Sequence, residues 1–167
     1  MKFWIKSIGA ARSPLEDEWL AKENVIDGAL AASPRLAERV HFPRNKRPVG
    51  IDIGDFFLLY GVTGRGGRII GAGVFKSDFY EDDREEELGL RSADDIAAWP
   101  WRIDIEMLLS IWHAHKGPKI DAIGLDPVKM RRRSHLRLTE DQYRAGVRAL
   151  AEVAMPFAGR EELGTSA

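Results

Sequence analysis

The residues with the most specific chemistry are a run of cations and a set of indoles. Lys129-Met130-Arg131-Arg132-Arg133-Ser134-His135 carries positive charge with no acid before Glu140, a composition suited to phosphate contact. The same run would serve equally as a solvated face, or pair within the molecule with the acidic stretch 81–95. Trp99-Pro100-Trp101 sets two indoles beside a rigid proline, and Trp4, Tyr60 and Trp112 become their neighbours if the strands that carry them share a barrel. Flat rings so grouped can stack a nucleobase, worth roughly 1–3 kcal/mol per base. Indoles of a small domain are as readily part of its core.

Other constellations point to structure rather than chemistry. His113-x-His115 puts two imidazoles on one face of a strand, but no third ligand stands at a motif-like spacing, so no metal is expected. Gly64-Arg65-Gly66-Gly67 has the look of a phosphate cradle, yet it joins two apolar runs and reads as a hairpin turn. Asp52 and Asp55 flank a strand start, where such residues usually accept turn and cap hydrogen bonds. There is no HExxH, GxSxG or P-loop, and without cysteine there is no disulfide, thiolate nucleophile or Cys-based metal site. No cofactor is implied.

These residues must be positioned by one domain. The chain has 167 residues, 44% apolar and 31% charged, with 25 basic against 26 acidic residues, which excludes a wholesale polycation and makes any nucleic-acid contact local. MKFWIKSIGAARSP lacks an apolar signal core, and no stretch approaches the ~20 apolar residues of a membrane helix. A cytoplasmic protein away from membranes is the expectation.

Phe3 to Ile8, aromatic and β-branched, predicts a strand. Ser13-Pro14-Leu15-Glu16 followed by Trp19 predicts a capped helix. Between 24 and 49, Pro34, Pro43 and Pro48 interrupt a stretch that gathers Arg35, Arg39, Arg44, Lys46 and Arg47, giving short helices and a basic loop. Phe56 to Val62 and Arg68 to Lys76 form a hairpin, with Gly71 and Gly73 marking tight curvature or close approach. The acidic stretch 81–95 reads as a solvated loop. Trp101, Ile103 and Ile105 alternate as a half-buried strand, and Ile120 to Leu125 supplies another. Thr139 with Gln142 caps a last helix that aligns Tyr143, Val147 and Leu150. Hairpins without regular βαβ alternation make this an α+β chain built on a small mixed barrel, 1–158 as a single domain and 159–167 as a flexible tail.

Four stretches resemble the EVE domain of the PUA-like superfamily, which is related to YTH and ASCH domains. They are FWIKS, GDFFLLYGVTGRGGRIIGAGVFKSDFYED, WPWRIDIEML and RRRSHLRLTEDQYRAGVRAL, 64 of the 167 residues and in the family's order. Where the family has a Trp-containing segment before its Gly-Asp turn, this chain has RVHFPRNKRPVGIDIGD. The Gly-x-Lys pattern of ASCH domains, with its downstream Glu and Arg, is absent, which argues against an amidohydrolase-like activity.

The resemblance implies a PUA-like barrel of five or six strands with peripheral helices, and a pocket for a flipped, often modified nucleobase. Carried over residue by residue, it implies a base pocket formed by Trp4, Lys6 and Ser7 of the first strand, Tyr60, Gly61 and Val62 of the hairpin, and Trp99 and Trp101 as stacking platform. Arg131, Arg132, Arg133, Ser134 and His135 become phosphate contacts or pocket supports. The expected function is a non-enzymatic module binding DNA or RNA, with a modified base in its aromatic pocket. The alternatives are a small nucleoside- or nucleotide-acting enzyme using Asp52, Asp55 or His135 as acid or base, and a protein-interaction domain.

Overall fold

β1 (Phe3–Ile8) is the strand its residue types predict, and it lies between two partners, parallel to β3 (Phe56–Thr63) and antiparallel to β7 (His135–Leu138). The computed structural model describes residues 1–9, 14–19, 39–81, 93–153 and 155–156. The hairpin joins β3 to β4 (Gly66–Phe75) through a two-residue turn, in which Thr63 Oγ1 accepts from Arg65 N at 3.1 Å and donates to Gly66 O at 2.7 Å. The glycine-rich stretch is therefore turn chemistry. β4 pairs with β6 (Trp101–Ser110), and β6 with β2 (Arg39–Phe42). The sheet order is β2-β6-β4-β3-β1-β7, with the two-residue strands β5 (Tyr80–Glu81) and β8 (Met155–Pro156) added on β6.

This mixed sheet curls into a half-barrel around Phe57, Leu59, Phe75 and Ile103, while Ile5 and its neighbour Leu58 point to the opposite face, and all six have no exposed surface. Gly73 permits part of the curl, since a Cβ there would lie 2.4 Å from Glu106 O and 2.7 Å from the Phe57 ring. The helix α2 (Glu140–Ala151) covers one face. Thr139 and Gln142 form both bonds of its capping box, and Tyr143 packs 5.0 Å from Phe3 and 5.7 Å from Phe56. Among the described residues no helix is long and apolar enough to cross a membrane.

Four local expectations are corrected. Pro14 to Glu16 does not open a helix: the Leu15 N–H donates to Val62 O at 2.8 Å in a bridge to the end of β3, and helical geometry begins only at Trp19. Tertiary pairing overrides the local capping signal there. Ile120 to Leu125 is not a strand but a 3₁₀ turn (Ile120–Ile123) that buries its i and i+3 isoleucines and stops at left-handed Gly124 (φ +73°). Within 81–95, α1 (Ala93–Ala98) begins before the acidic stretch ends. The basic stretch before Pro43 contains β2, and the segment after Ser134 is a strand. The short helices expected between 24 and 38, the acidic residues 82–92 and the tail 159–167 lie outside the described residues.

Candidate functional site

The two end strands of the sheet, β2 and β7, come together through side chains. The Phe42 and His135 rings meet edge to face at 5.1 Å, and Lys6 Nζ sits 4.7 Å over the Phe42 ring. At this seam lies a cavity of about 440 Å³, walled on one side by Asn45, Lys46, Arg47 and Val49, and on the other by Arg133, Ser134 and His135. The Pro-bounded loop after β2 is held by Arg44, whose N–H and Nε donate to Ala98 O and Ala97 O, while Trp101 Nε1 donates to Arg44 O at 3.1 Å. Opposite, Ser7 pins the chain: its N–H donates to Ser134 O at 2.8 Å, and its hydroxyl lies 2.9 Å from Arg133 O and 3.1 Å from Ser134 O.

Strand alternation sets what lies around His135. Trp4 and Lys6 of β1 face the same side as their β7 partners Arg137 and His135. The Trp4 ring lies 5.8 Å from His135, and the Arg137 guanidinium is 5.6 Å over it. Lys6 is fully buried, with Nζ donating to Ser7 O at 2.6 Å, and burial pushes its ammonium down to about 7. Burial, then the nearby Lys6 and Lys46 charges, push His135 down to about 4. At neutral pH the cavity therefore presents an uncharged imidazole, able to stack and to both donate and accept, within a rim of three cations and no carboxylate.

The expected residues divide into groups. Lys6, Ser7, Trp4 and His135 are brought together at the seam, with Arg133 and Ser134 on its wall. Trp99 stands 6.0 Å from Lys6 Nζ and is 39% exposed, whereas Trp101 lies behind Arg47, edge to face with Phe79 at 5.6 Å; neither lines the cavity. Tyr60, Gly61 and Val62 fall elsewhere. The Tyr60 hydroxyl packs over Gly67, Gly61 lies beneath Leu15 and Ile70, and Val62 O holds Leu15 N, so all three belong to the packing of the 14–19 segment and the hairpin. Arg131, Arg132 and Arg133 are exposed and make no ion pair among the described residues, and Arg132 takes a left-handed φ of +59° that turns the chain toward the cavity wall.

Of the acid–base candidates, His135 stands in the cavity, whereas Asp55 and Asp52 are engaged elsewhere. Burial would raise the Asp55 carboxyl, but N–H donors from Asp52, Trp4 and Lys2, with the Lys2 ammonium, hold it below the usual carboxylate range. Asp52 pairs with Lys2 at 2.7 Å on the surface. His113 Nδ1 meets Asp17 Oδ2 at 2.7 Å, and the His115 N–H donates to Asp17 Oδ1 at 3.0 Å, so both histidines tie down the 14–19 segment. Among the described residues no group of His, Asp and Glu is arranged to hold a metal.

Sequence reasoning missed Phe42, Asn45, Lys46, Arg47 and Val49 as site residues. Their signal was present in the alternation Val40-His41-Phe42 followed by a basic tetrapeptide between two prolines.

No protein-family model matches this sequence, and no curated protein matches it significantly. Solved structures do resemble it. A hypothetical protein from Leishmania major has a TM-score of 0.53 at 12% identity over 91% of this chain and 96% of its own. Rpa0253 from Rhodopseudomonas palustris has a TM-score of 0.52 at 13% identity over 92% and 95%. Human THYN1, solved in complex with DNA containing 5-methylcytosine, has a TM-score of 0.47 at 11% identity over 86% and 94%. At these identities the likeness is one of architecture: the chain shares the fold of the Leishmania major and Rhodopseudomonas palustris structures, here a mixed sheet curled into a half-barrel, in keeping with the small mixed barrel expected from its pattern of strands.

Proposed function

We propose that this protein binds nucleic acid and receives a single nucleobase, swung out of DNA or RNA, in the seam cavity. The observation that carries the reading is the combination at one opening of a neutral, ring-backed imidazole with Lys46, Arg47 and Arg133. A cavity of about 440 Å³ falls within the ~300–1,000 Å³ of small-ligand sites. Extruding a base costs a few kcal/mol of unstacking, which stacking on His135, backed by Phe42 and Trp4, would offset. The Asn45 amide has the donor and acceptor needed to read a base edge. Lys46, Arg47 and the Arg131–Arg133 run would take the phosphates flanking that base. A modified base is the finer form of the proposal.

The test is fluorescence anisotropy on matched oligonucleotides: fully paired, carrying one mismatch, and single-stranded, each with and without a modified base. Binding should strengthen where the base is already unpaired, and His135→Ala should erase that preference while leaving weak, salt-sensitive binding. Equal affinity for all forms would remove the base-pocket reading. Mass spectrometry of the recovered oligonucleotide should find it unchanged; a processed base would favour an enzyme.

A further inference from the structure

A second cavity, of about 430 Å³, lies beside the first, and Arg133 lines both. Its apolar part is Leu125 and Leu136, and its polar part is Lys129, Arg133, Arg137 and Gln142, with no carboxylate among them. Resting on the nucleic-acid reading above, we propose that this cavity is a second nucleotide subsite, which takes the residue next to the extruded base on the same strand.

Several observations support that occupant. Same-face residues of a strand recur every ~6.6 Å, so the His135–Arg137 step along β7 matches the advance from one nucleotide to the next in an extended chain. Arg137 is held by its side chain and Arg133 by its backbone. Arg137 lies 5.6 Å over the Trp4 ring, and the backbone at Arg133 is held by Ser7 Oγ at 2.9 Å and by its own N–H on Met130 O at 3.2 Å. Gln142 accepts the Thr139 N–H at 3.0 Å through Oε1, which leaves its Nε2 amide as a donor toward a base or sugar. Half-buried Leu136, with the edge of buried Leu125, is the uncharged part of the wall that a base would cover. Of the acids that begin α2, Glu140 is tied to Arg144 at 2.9 Å, which limits its opposition to an anion.

The measurement is affinity against length. A 5′-phosphorylated mononucleotide and single-stranded oligonucleotides of two, four and eight residues are titrated into the wild type, Lys129→Ala, and Lys129→Ala/Arg137→Ala, with melting temperature recorded for each. In the wild type, affinity should step up from one residue to two. In the double variant that step should vanish, in Lys129→Ala it should shrink with mononucleotide binding unchanged, and the salt slope of the double variant for the eight-residue strand should fall by about 1.4, roughly 25-fold in affinity between 1 M and 0.1 M salt. Lys129→Ala, at an exposed side chain away from Trp4, should give half that slope change and so separates the effect from any loss of packing by Arg137. Wild-type binding that ignores these substitutions at every length overturns the subsite and leaves the seam pocket standing. An equal loss for one residue and for eight also overturns it, since that is a general field rather than a site. Wild-type protein that binds no oligonucleotide, yet captures an acidic peptide through Lys129 and Arg137, overturns both readings.

Discussion

Replacing Lys6 with Met should make the protein more stable at pH 7 and remove a rise in stability above it. Lys6 has 1% of its surface exposed and makes one hydrogen bond, to Ser7 O, and burial lowers its pKa from 10.5 to about 7. Each tenfold loss of proton affinity costs about 1.4 kcal/mol, so holding the ammonium in this site costs up to about 5 kcal/mol. The rings of Phe42 and Trp99, at 4.7 and 6.0 Å, return about 1–2 kcal/mol of that through cation–π attraction. A net cost near 3 kcal/mol at pH 7 follows. The folded protein binds this proton less tightly than the unfolded chain, so stability rises with pH between about 7 and 10.5 and gains nothing from Lys6 below 7. Urea denaturation of the wild type should therefore give roughly 2–3 kcal/mol more at pH 9.5 than at pH 7, whereas Lys6→Met should start higher and stay flat. Parallel behaviour of the two proteins across that range would refute the reasoning, by showing that Lys6 keeps its charge at no cost.

Ser7→Ala removes both hydroxyl contacts to the Arg133 and Ser134 carbonyls, and should cost about 1–2 kcal/mol by chemical denaturation while weakening oligonucleotide binding several-fold through a freer Arg133. His135, with its pKa near 4, should show no imidazole titration by NMR between pH 8 and 5. Because the unfolded chain takes up this proton first, the stability lost as pH falls from 6.5 toward 4 should shrink by about 2 kcal/mol in His135→Gln. Trp99→Ala, at a 39% exposed indole, should cost less than about 1 kcal/mol, against about 3–5 kcal/mol for Trp4→Ala at a buried one. Trp4→Phe should itself cost about 1–3 kcal/mol, because Asp55 loses the indole N–H that it accepts at 3.0 Å.

What could be read from the sequence was what local patterning controls. The β3–β4 hairpin, the alternation of β6 and the Thr139–Gln142 capping box each have a signal contained within a few residues, and each formed as expected. β2 and β7 were not legible as strands, because each is four residues long and sits in a basic stretch whose charges mask two or three inward side chains. The helix start expected at Pro14 failed for the opposite reason: a local capping signal lost to the pairing of Leu15 with Val62, a residue about fifty positions away in the chain. For the site, the sequence pointed to β1 and the segment ending at His135, which the fold brings side by side, but nothing local says that Phe42 closes on His135. That contact depends on how far the sheet curls, which is set by Gly73 and by the irregularities at Leu59/Tyr60 and Ala72/Gly73 on strands that do not touch the cavity.

That dependence explains why the cavity lies where it does. A barrel closed by backbone pairing has no edges and, at this size, an interior filled by side chains. Here the described sheet ends at β2 and β7, and the last step of closure is made by rings and an ammonium rather than by a hydrogen-bonded ladder. Side chains of that size hold two edges apart as well as together, so a space opens where β2 runs out into 43–49 and where 130–134 runs in to β7. Neither connection answers to a strand register, and their residues can change without disturbing the pairs that hold the sheet. The barrel therefore fixes the position and depth of the pocket, while the Asn45–Lys46–Arg47 and Arg131–Ser134 segments set its charge and the shape of what it admits. Charge reversals in these two loops should alter which oligonucleotides bind and leave the urea midpoint within the range of ordinary surface substitutions, about 0.5 kcal/mol.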